Sequence, residues 1–439
     1  MATDPRTVVR WALFHGLARV ASRRAAGRGD LHARLMTDPS LRAEPWAFYE
    51  QVRSRGPLVR GRFAAVTATH EVASTVLRSE DFRVGLDPAT LPRVLGAAAR
   101  WARDESALSP VDPPSMLAVE APQHTRYRRM VSKVFTARAV EGLRAQTQDI
   151  ADDLLDRLAG PTGPLAGPRT VDLVTTYAGL LPIAVISRVL GMPESSYERV
   201  LQLGNAAASS LDVGLGWREF SAVDAAVREF QALLGAHLDT LRHAPGQDLL
   251  SQLVHAQDEE GRLTDVELRA TAGLLLAAGF ETTVNLLGSA TVLLLEHPGQ
   301  LALLREDPTL WPGAVEEALR LEGPVQLTGR FTTRDTELAG QQLRQGALVV
   351  TYLGGANRDP AVFADPSTFD VRRPNAREHL TFSAGRHFCV GAALARLEGE
   401  VGLRTLFERF PDLALAGGGT RRPTRVLRGW EHLPVRPGG

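Results

Sequence analysis

Phe382-Ser-Ala-Gly385-Arg-His387-Phe-Cys389-Val-Gly391 stands immediately before a helical run from Ala392 to Phe410. Cys389 is the only cysteine among 439 residues. A solitary cysteine is ordinarily a small buried hydrophobe, but the neighbours of this one point to chemistry. Gly385 and Gly391 allow tight backbone approach around the sulfur. The helix that follows offers unpaired N–H groups and the positive end of its dipole. Such a setting is expected to lower the thiol pKa and hold a thiolate. A thiolate so placed serves as a nucleophile or as a metal ligand. As a nucleophile it needs a base, and His387, two residues away, has no evident Asp or Asn to orient it. One cysteine also excludes an internal disulfide and a multi-cysteine zinc site, and points to a cytosolic compartment.

Upstream, the clearest element is a helix beginning at Thr264. Thr264 and Glu267 form a capping box, and Pro298 follows the end, which gives roughly 33 residues or roughly 50 Å. Its middle reads Ala278-Gly279-Phe-Glu281-Thr282-Thr283. Glycine costs about 1 kcal/mol inside a helix, and a buried glutamate costs more. Packing alone rarely keeps both at an apolar centre. Further helices are expected at 41–54, 123–133, 138–158, 173–190 and 217–241, from apolar periodicity bounded by Gly and Pro. Strands are expected at 58–68, 343–353 and around 413–437. Residues 82–121 and 355–388 read as long loops, and loops of that length are usually functional.

Fifty basic and fifty acidic residues give zero formal net charge. Phosphate binding needs a cationic surplus, so nucleic acid is not the expected partner. Nearly all the basic charge is arginine, with Lys133 the one lysine. No stretch reads as eighteen uncharged apolar residues; the best, Ala270–Phe280, ends at Glu281. Residues 1–34 form an extension in which Trp11, Phe14, Leu17 and Val20 fall near helical spacing, followed by Arg19, Arg23, Arg24 and Arg28. An amphipathic basic helix of this kind lies on a membrane or docks on the main domain; docking is the expectation here. Residues 35–439 read as one catalytic domain.

Taken together, the motifs resemble the cytochrome P450 family. The Phe-x-x-Gly-x-His-x-Cys-x-Gly segment is similar to its haem-binding loop, which implies Cys389 as the axial thiolate of haem iron. A second family signature appears as Glu317-Ala-Leu-Arg320. In the family that pair locks onto an arginine of a later loop and braces the thiolate segment. Phe369-Asp-Val-Arg372-Arg373 offers two such arginines, and Arg373 is favoured. His124-Thr-Arg-Tyr-Arg128 resembles the helix whose His and Arg hold a haem propionate. Arg330 and His387 fit further propionate contacts. The resemblance covers roughly residues 40–437 and implies a mainly α fold with small β-sheets, a long central helix and a haem-binding cysteine loop.

The resemblance also assigns the helix centre. Gly279 and Ala278 would leave room beside the iron, Thr282 would donate a hydrogen bond to dioxygen, and Glu281 would relay protons. This implies a haem b monooxygenase that uses O2 and two delivered electrons to hydroxylate or epoxidise a hydrophobic small molecule, in natural-product biosynthesis. No dinucleotide fingerprint or flavin-sized region is present, so the electrons come from a separate donor, a ferredoxin with its reductase. Arg126, Arg129, Lys133 and Arg396 are candidates for its docking patch. A cytoplasmic monomer without membrane association is expected. Two alternatives stay open: oxidative coupling, desaturation or rearrangement on the same fold, and a non-catalytic haem sensor. The substrate is not legible, although Phe82, Leu91, Val94, Leu95 and an apolar lid at Leu211–Trp217 are candidate pocket elements.

Overall fold

The computed structural model describes residues 4–85, 92–159, 169–258 and 261–437. The fold is mainly helical with small sheets. Its axis is the central helix Asp265–Glu296. The capping box is formed in both directions: Glu267 N donates to Thr264 Oγ1 (3.3 Å) and Thr264 N to Glu267 Oε2 (2.8 Å). By length and composition this helix could span a membrane, which the run ending at Glu281 did not suggest, because residues 282–295 are uncharged as well. That apolar stretch is 72% buried inside the chain, so its apolarity is spent on packing.

Among the helices packed on it are Leu180–Val189, Trp217–His243, Trp311–Leu321 and Ala392–Arg409. Buried Leu275, Leu276, Val284, Leu286, Leu287 and Leu294 belong to one continuous core with them. Each such side chain contributes about 1.5–3 kcal/mol on burial. The close approach depends on small residues. A Cβ at Gly279 would lie 2.6 Å from Ile186 Cγ1, and one at Gly399 3.2 Å from Leu286 Cδ2.

The largest sheet runs in the order Val59–Arg60, Ala65–Thr67, Leu348–Tyr352, Leu327–Thr332, Phe82–Arg83. Only the Ala65–Thr67 pairing with Leu348–Tyr352 is parallel, Val350 opposite Val66. Val349 stands opposite Arg330 in the antiparallel pair beside it. The strand Leu327–Thr332 escaped the sequence periodicity because Gly329 and Arg330 interrupt it. Its arginine is buried nevertheless. Several expected helices are divided. Residues 41–54 break at Glu44–Pro45, and 138–158 separates at Gly142 into Ala137–Glu141 and Arg144–Ala159. The 173–190 segment opens with one wide turn, Val174–Ala178.

The N-terminal extension is helical over Pro5–Trp11, Ala12–Gly16 and Leu17–Ala26, and it docks on the main body. Trp11 Nε1 donates to Leu215 O (3.1 Å), Leu215 N to His15 Nδ1 (3.3 Å), and Arg19 to Gly214 O (3.3 Å). On the other side, Asp212 accepts backbone N–H groups of Arg425 and Val426 (2.9 and 3.0 Å). The Leu211–Trp217 segment is therefore tied from both flanks. Phe82 is buried among Leu338, Leu343 and Val349 rather than at a pocket. Val94 and Leu95 are exposed on the helix Arg93–Trp101, and Leu91 lies outside the described residues.

Candidate active site

The cysteine loop is shaped by its backbone. Ser383 and Gly385 adopt positive φ (63° and 67°). A Cβ at Gly385 would lie 2.5 Å from Leu77 O, so glycine is required there on both counts. Gly391 differs: a Cβ there would meet nothing within 4 Å, so it is not needed for close approach by the protein. Cys389 N donates to Phe382 O (2.9 Å), closing the loop into a hairpin. The sulfur is accessible. The surrounding low-dielectric chain nonetheless raises the thiol pKa, against the Gly391 N–H and the charges of Arg128 and Arg396. This corrects the expectation of a lowered pKa. Two arginines and one N–H do not outweigh the desolvation.

Basic groups collect next to the loop. Arg128 donates to Phe388 O (2.6 Å), and the His124 and His387 rings touch at 4.2 Å between centroids. Burial, then the His387 and Arg128 charges, bring His124 down to about 4. Arg330 is buried, and its hydrogen bonds go to Thr328 Oγ1 and Gly329 O (2.8 and 2.9 Å), with no carboxylate in contact among the described residues. Its burial lowers it to about 10. The sequence did not single out Glu120, the one carboxylate here among the described residues. It accepts from Val84 N (2.7 Å) and lies 3.3 Å from His387 Nε2 and 3.4 Å from Arg386 Nη1. Burial works against its ionisation, but His387, the Val84 N–H and Arg386 hold it at about 2. His387 is thus already engaged by Glu120. Glu120 could have been noticed from its place one turn before His124, whose N–H bonds to the Glu120 carbonyl (3.0 Å).

Behind the loop, Glu317 and Arg320 are both fully buried and bonded twice, Nε–Oε2 and Nη2–Oε1 at 2.7 Å. Arg373 Nε completes the trio at 2.9 Å from Glu317 Oε1, while Arg372 is exposed. The remaining donors of Arg320 reach the carbonyls of Asn357, Pro366 and Thr368. One residue earlier, Glu316 is a second buried carboxylate that sequence spacing did not reveal. It meets His379 Nε2 at 3.1 Å and accepts from Arg396 Nε at 2.7 Å. Arg396 also lies over the Phe382 ring, 4.5 Å from its centre. The two carboxylates tie both flanks of the cysteine loop to one helix.

In the central helix, Ala278 is exposed and Thr282 half-buried in a stretch that is otherwise largely buried. They are one turn apart, and Thr282 Oγ1 donates to Ala278 O (2.9 Å). Gly279 does not share that open side, since its Cα is pressed against Ile186. The space there comes from Ala278. The helix is unbroken, bent at most by the back-bonded hydroxyls of Thr282 and Thr283. Glu281 is buried and turned away from Thr282, with Oε1 2.8 Å from Arg422 Nη1 on the C-terminal hairpin. Burial raises its pKa, and the Arg422 charge and Asn285 amide oppose the rise.

Among the described residues, Arg128, Arg330 and Arg386 against Glu120 leave this corner positive. It adjoins the loop that carries the exposed Cys389, and a cationic corner beside a thiol suits a planar cofactor carrying two carboxylates and an iron. The family model described as cytochrome P450 matches residues 200–418. Cytochrome P450 140 of Mycobacterium tuberculosis is 53% identical over 431 residues, 98% of this chain and 97% of its own.

The chain belongs to the cytochrome P450 family.

Another relative of this P450 is the 6-deoxyerythronolide B hydroxylase of Saccharopolyspora erythraea, 43% identical over 73% of this chain and 77% of its own. The solved structure of the Bacillus subtilis bacillaene polyketide synthase cytochrome P450 PksS superimposes with TM-score 0.79 at 30% identity, covering 92% of this chain and all of that one. The protein is a P450 oxidoreductase of bacterial type, and its cofactor is haem b. Of the four arginines and lysines expected to dock a redox partner, Arg126 is buried against Glu267 and Arg396 is committed to Glu316. Arg129 and Lys133 are exposed on the helix Gln123–Ser132 and its C-terminal end.

Proposed function

We propose that this P450 is a monooxygenase that hydroxylates or epoxidises a hydrophobic small molecule in natural-product biosynthesis. The overall reaction consumes substrate, O2, two electrons and two protons, and yields the oxygenated product and water. The observation that carries the proposal is the open Ala278–Thr282 turn with ionisable Glu281 beside it. An alcohol and an acid at the centre of a buried helix serve proton delivery better than they serve packing.

Haem, when bound, supplies the redox centre at which dioxygen is reduced. Cys389 would hold the iron through its thiolate. His124, Arg128 and Arg330 would hold the propionates, with Glu120 fixing His387 alongside. Glu317, Arg320 and Arg373 keep the loop in register. Thr282 Oγ1 leaves the Ala278 carbonyl to donate toward dioxygen. Burial favours the protonated form of Glu281, which suits it to donate a proton. It points to Arg422 and not to Thr282, so the proton passes between them by carboxyl rotation or through solvent. Electrons come from a ferredoxin and its reductase, with Arg129 and Lys133 the remaining basic candidates for docking. The names of the two relatives, a hydroxylase and a polyketide synthase P450, support the substrate class.

The test supplies the haem-loaded protein with ferredoxin, reductase, NADPH and a panel of polyketide lactones under labelled dioxygen. One labelled oxygen in the product is the expected result. Product without label gives the protein to coupling or desaturation. No turnover of any lactone in the panel, with electrons delivered, overturns the proposed substrate class.

A further inference from the structure

Residues 5–29 contain six arginines and no acidic residue, in a chain of zero formal net charge. The inner face of this helical extension is docked: Thr7 and Ala25 are buried, and Trp11 packs edge-on against Trp217. Arg10 is paired with Asp224, and Arg19 is 3.9 Å from Glu219. The outer face has a different character. Phe14, Leu17, Val20 and Arg24 follow one another at spacings of three, three and four, which keeps them on one side of the helical extension, and Arg28 stands in the turn just past its end. Phe14, Leu17 and Val20 are 52%, 60% and 49% exposed. Single exposed apolar residues are ordinary, but three in line on a docked helix are a patch.

The charge around that patch is cationic. Arg23, Arg24 and Arg28 are exposed, and none forms an ion pair among the described residues. Arg28 joins exposed Arg55, Arg60 and Arg62 around a cleft of about 360 Å³ at the end of the helix. The acid in that cleft, Asp30, is occupied by the Ala33 and Arg62 backbone N–H groups (2.9 and 2.6 Å). Phe63, next in sequence, is 49% exposed. Large apolar side chains beside unpaired arginines match a bilayer interface, which takes the first into its headgroup boundary and offers phosphates to the second.

We propose that the outer face of residues 14–28 docks this protein reversibly on an anionic lipid surface. The same helix holds Gly214 and Leu215, and Val213 beside them is 52% exposed. A docked bilayer therefore lies against the Leu211–Trp217 segment, where a membrane-dissolved substrate would meet the protein. The docking itself does not depend on which reaction the enzyme performs.

The experiment is co-sedimentation of the full-length haem-loaded protein with vesicles of phosphatidylcholine alone, or with one quarter phosphatidylglycerol. Binding is expected to the anionic vesicles only, and to weaken at high salt. F14S/L17S/V20S should lower the bound fraction by about tenfold or more. R23E/R24E/R28E should abolish the preference for phosphatidylglycerol, at roughly fivefold per arginine removed. Both variants should keep the parent's carbon monoxide spectrum and Tm, because these side chains face outward. Failure to bind either vesicle overturns the proposal, as does undiminished binding by F14S/L17S/V20S. A dimer that this variant dissolves, without vesicle binding, assigns the face to a second copy and also overturns it.

Discussion

Arg422 Nη1 stands 2.8 Å from Glu281 Oε1, with both side chains nearly inaccessible. The pair joins the middle of the central helix to the C-terminal hairpin across 141 residues. Arg422 is itself fixed by Trp430 O (3.2 Å) and Asn205 Oδ1 (3.1 Å). One cation thus connects the candidate proton reserve to two surface elements. Burial lifts the Glu281 carboxyl and Arg422 pulls it down.

Removing that pull has a definite sign. In Arg422→Gln the carboxyl stays protonated to higher pH, because nothing then favours its ionised form. Turnover that draws a proton from Glu281 is present at low pH and lost as pH rises through its pKa. The falling limb of the kcat profile should therefore move to higher pH in Arg422→Gln and stay in place in Arg422→Lys. A limb that does not move in either variant separates Arg422 from proton delivery.

Thr282→Ala removes a hydroxyl from an accessible face, so stability should change by no more than about 0.5 kcal/mol. Electron consumption should continue while product falls and hydrogen peroxide rises. The measurement is product and peroxide formed per NADPH consumed. Unchanged coupling removes Thr282 from the mechanism.

Arg372 and Arg373 are neighbours with opposite expectations. Arg373→Ala leaves the fully buried Glu317 with one cation in place of two, and should cost about 3 kcal/mol. Arg372 is exposed, and Arg372→Ala should stay within about 0.5 kcal/mol. Thermal unfolding of the two variants side by side decides, and equal shifts would show that Arg373 does not brace the loop.

Glu316 makes acid stability testable. Burial works against its ionisation, but His379 and Arg396 hold it at about 2, below its ordinary 4.5. The stability it contributes is present above about pH 4.5 and lost as pH falls towards 2. Between pH 7 and pH 3 the Tm of the parent should fall more steeply than that of Glu316→Gln. Parallel curves would mean that the carboxylate is not ionised in the folded state.

Much of the site was legible because its signals are local. Gly385 is required by its own φ and by Leu77 O, and the glutamate–arginine pair at 317 and 320 lies on one helix turn. Residues so close in sequence are brought together by secondary structure alone. The capping box at Thr264 and Glu267 is equally local, and both of its bonds form. Spacing said nothing of Glu120 beside His387, Glu316 beside Arg396, or Arg422 beside Glu281. These pairs are separated by 80 to 267 residues, and no pattern in one segment records which distant segment will face it.

By itself the sequence pointed to the family, to Cys389 as the candidate iron ligand, to the long central helix and to the helical extension with its basic end. Those follow from residue type and short periodicity. Only the tertiary structure decided that Gly279 serves packing against Ile186, that Ala278 provides the open side, and that the thiol pKa rises. The reason is physical. Room and dielectric are properties of everything packed around a residue, and they exist only once the chain has closed on itself.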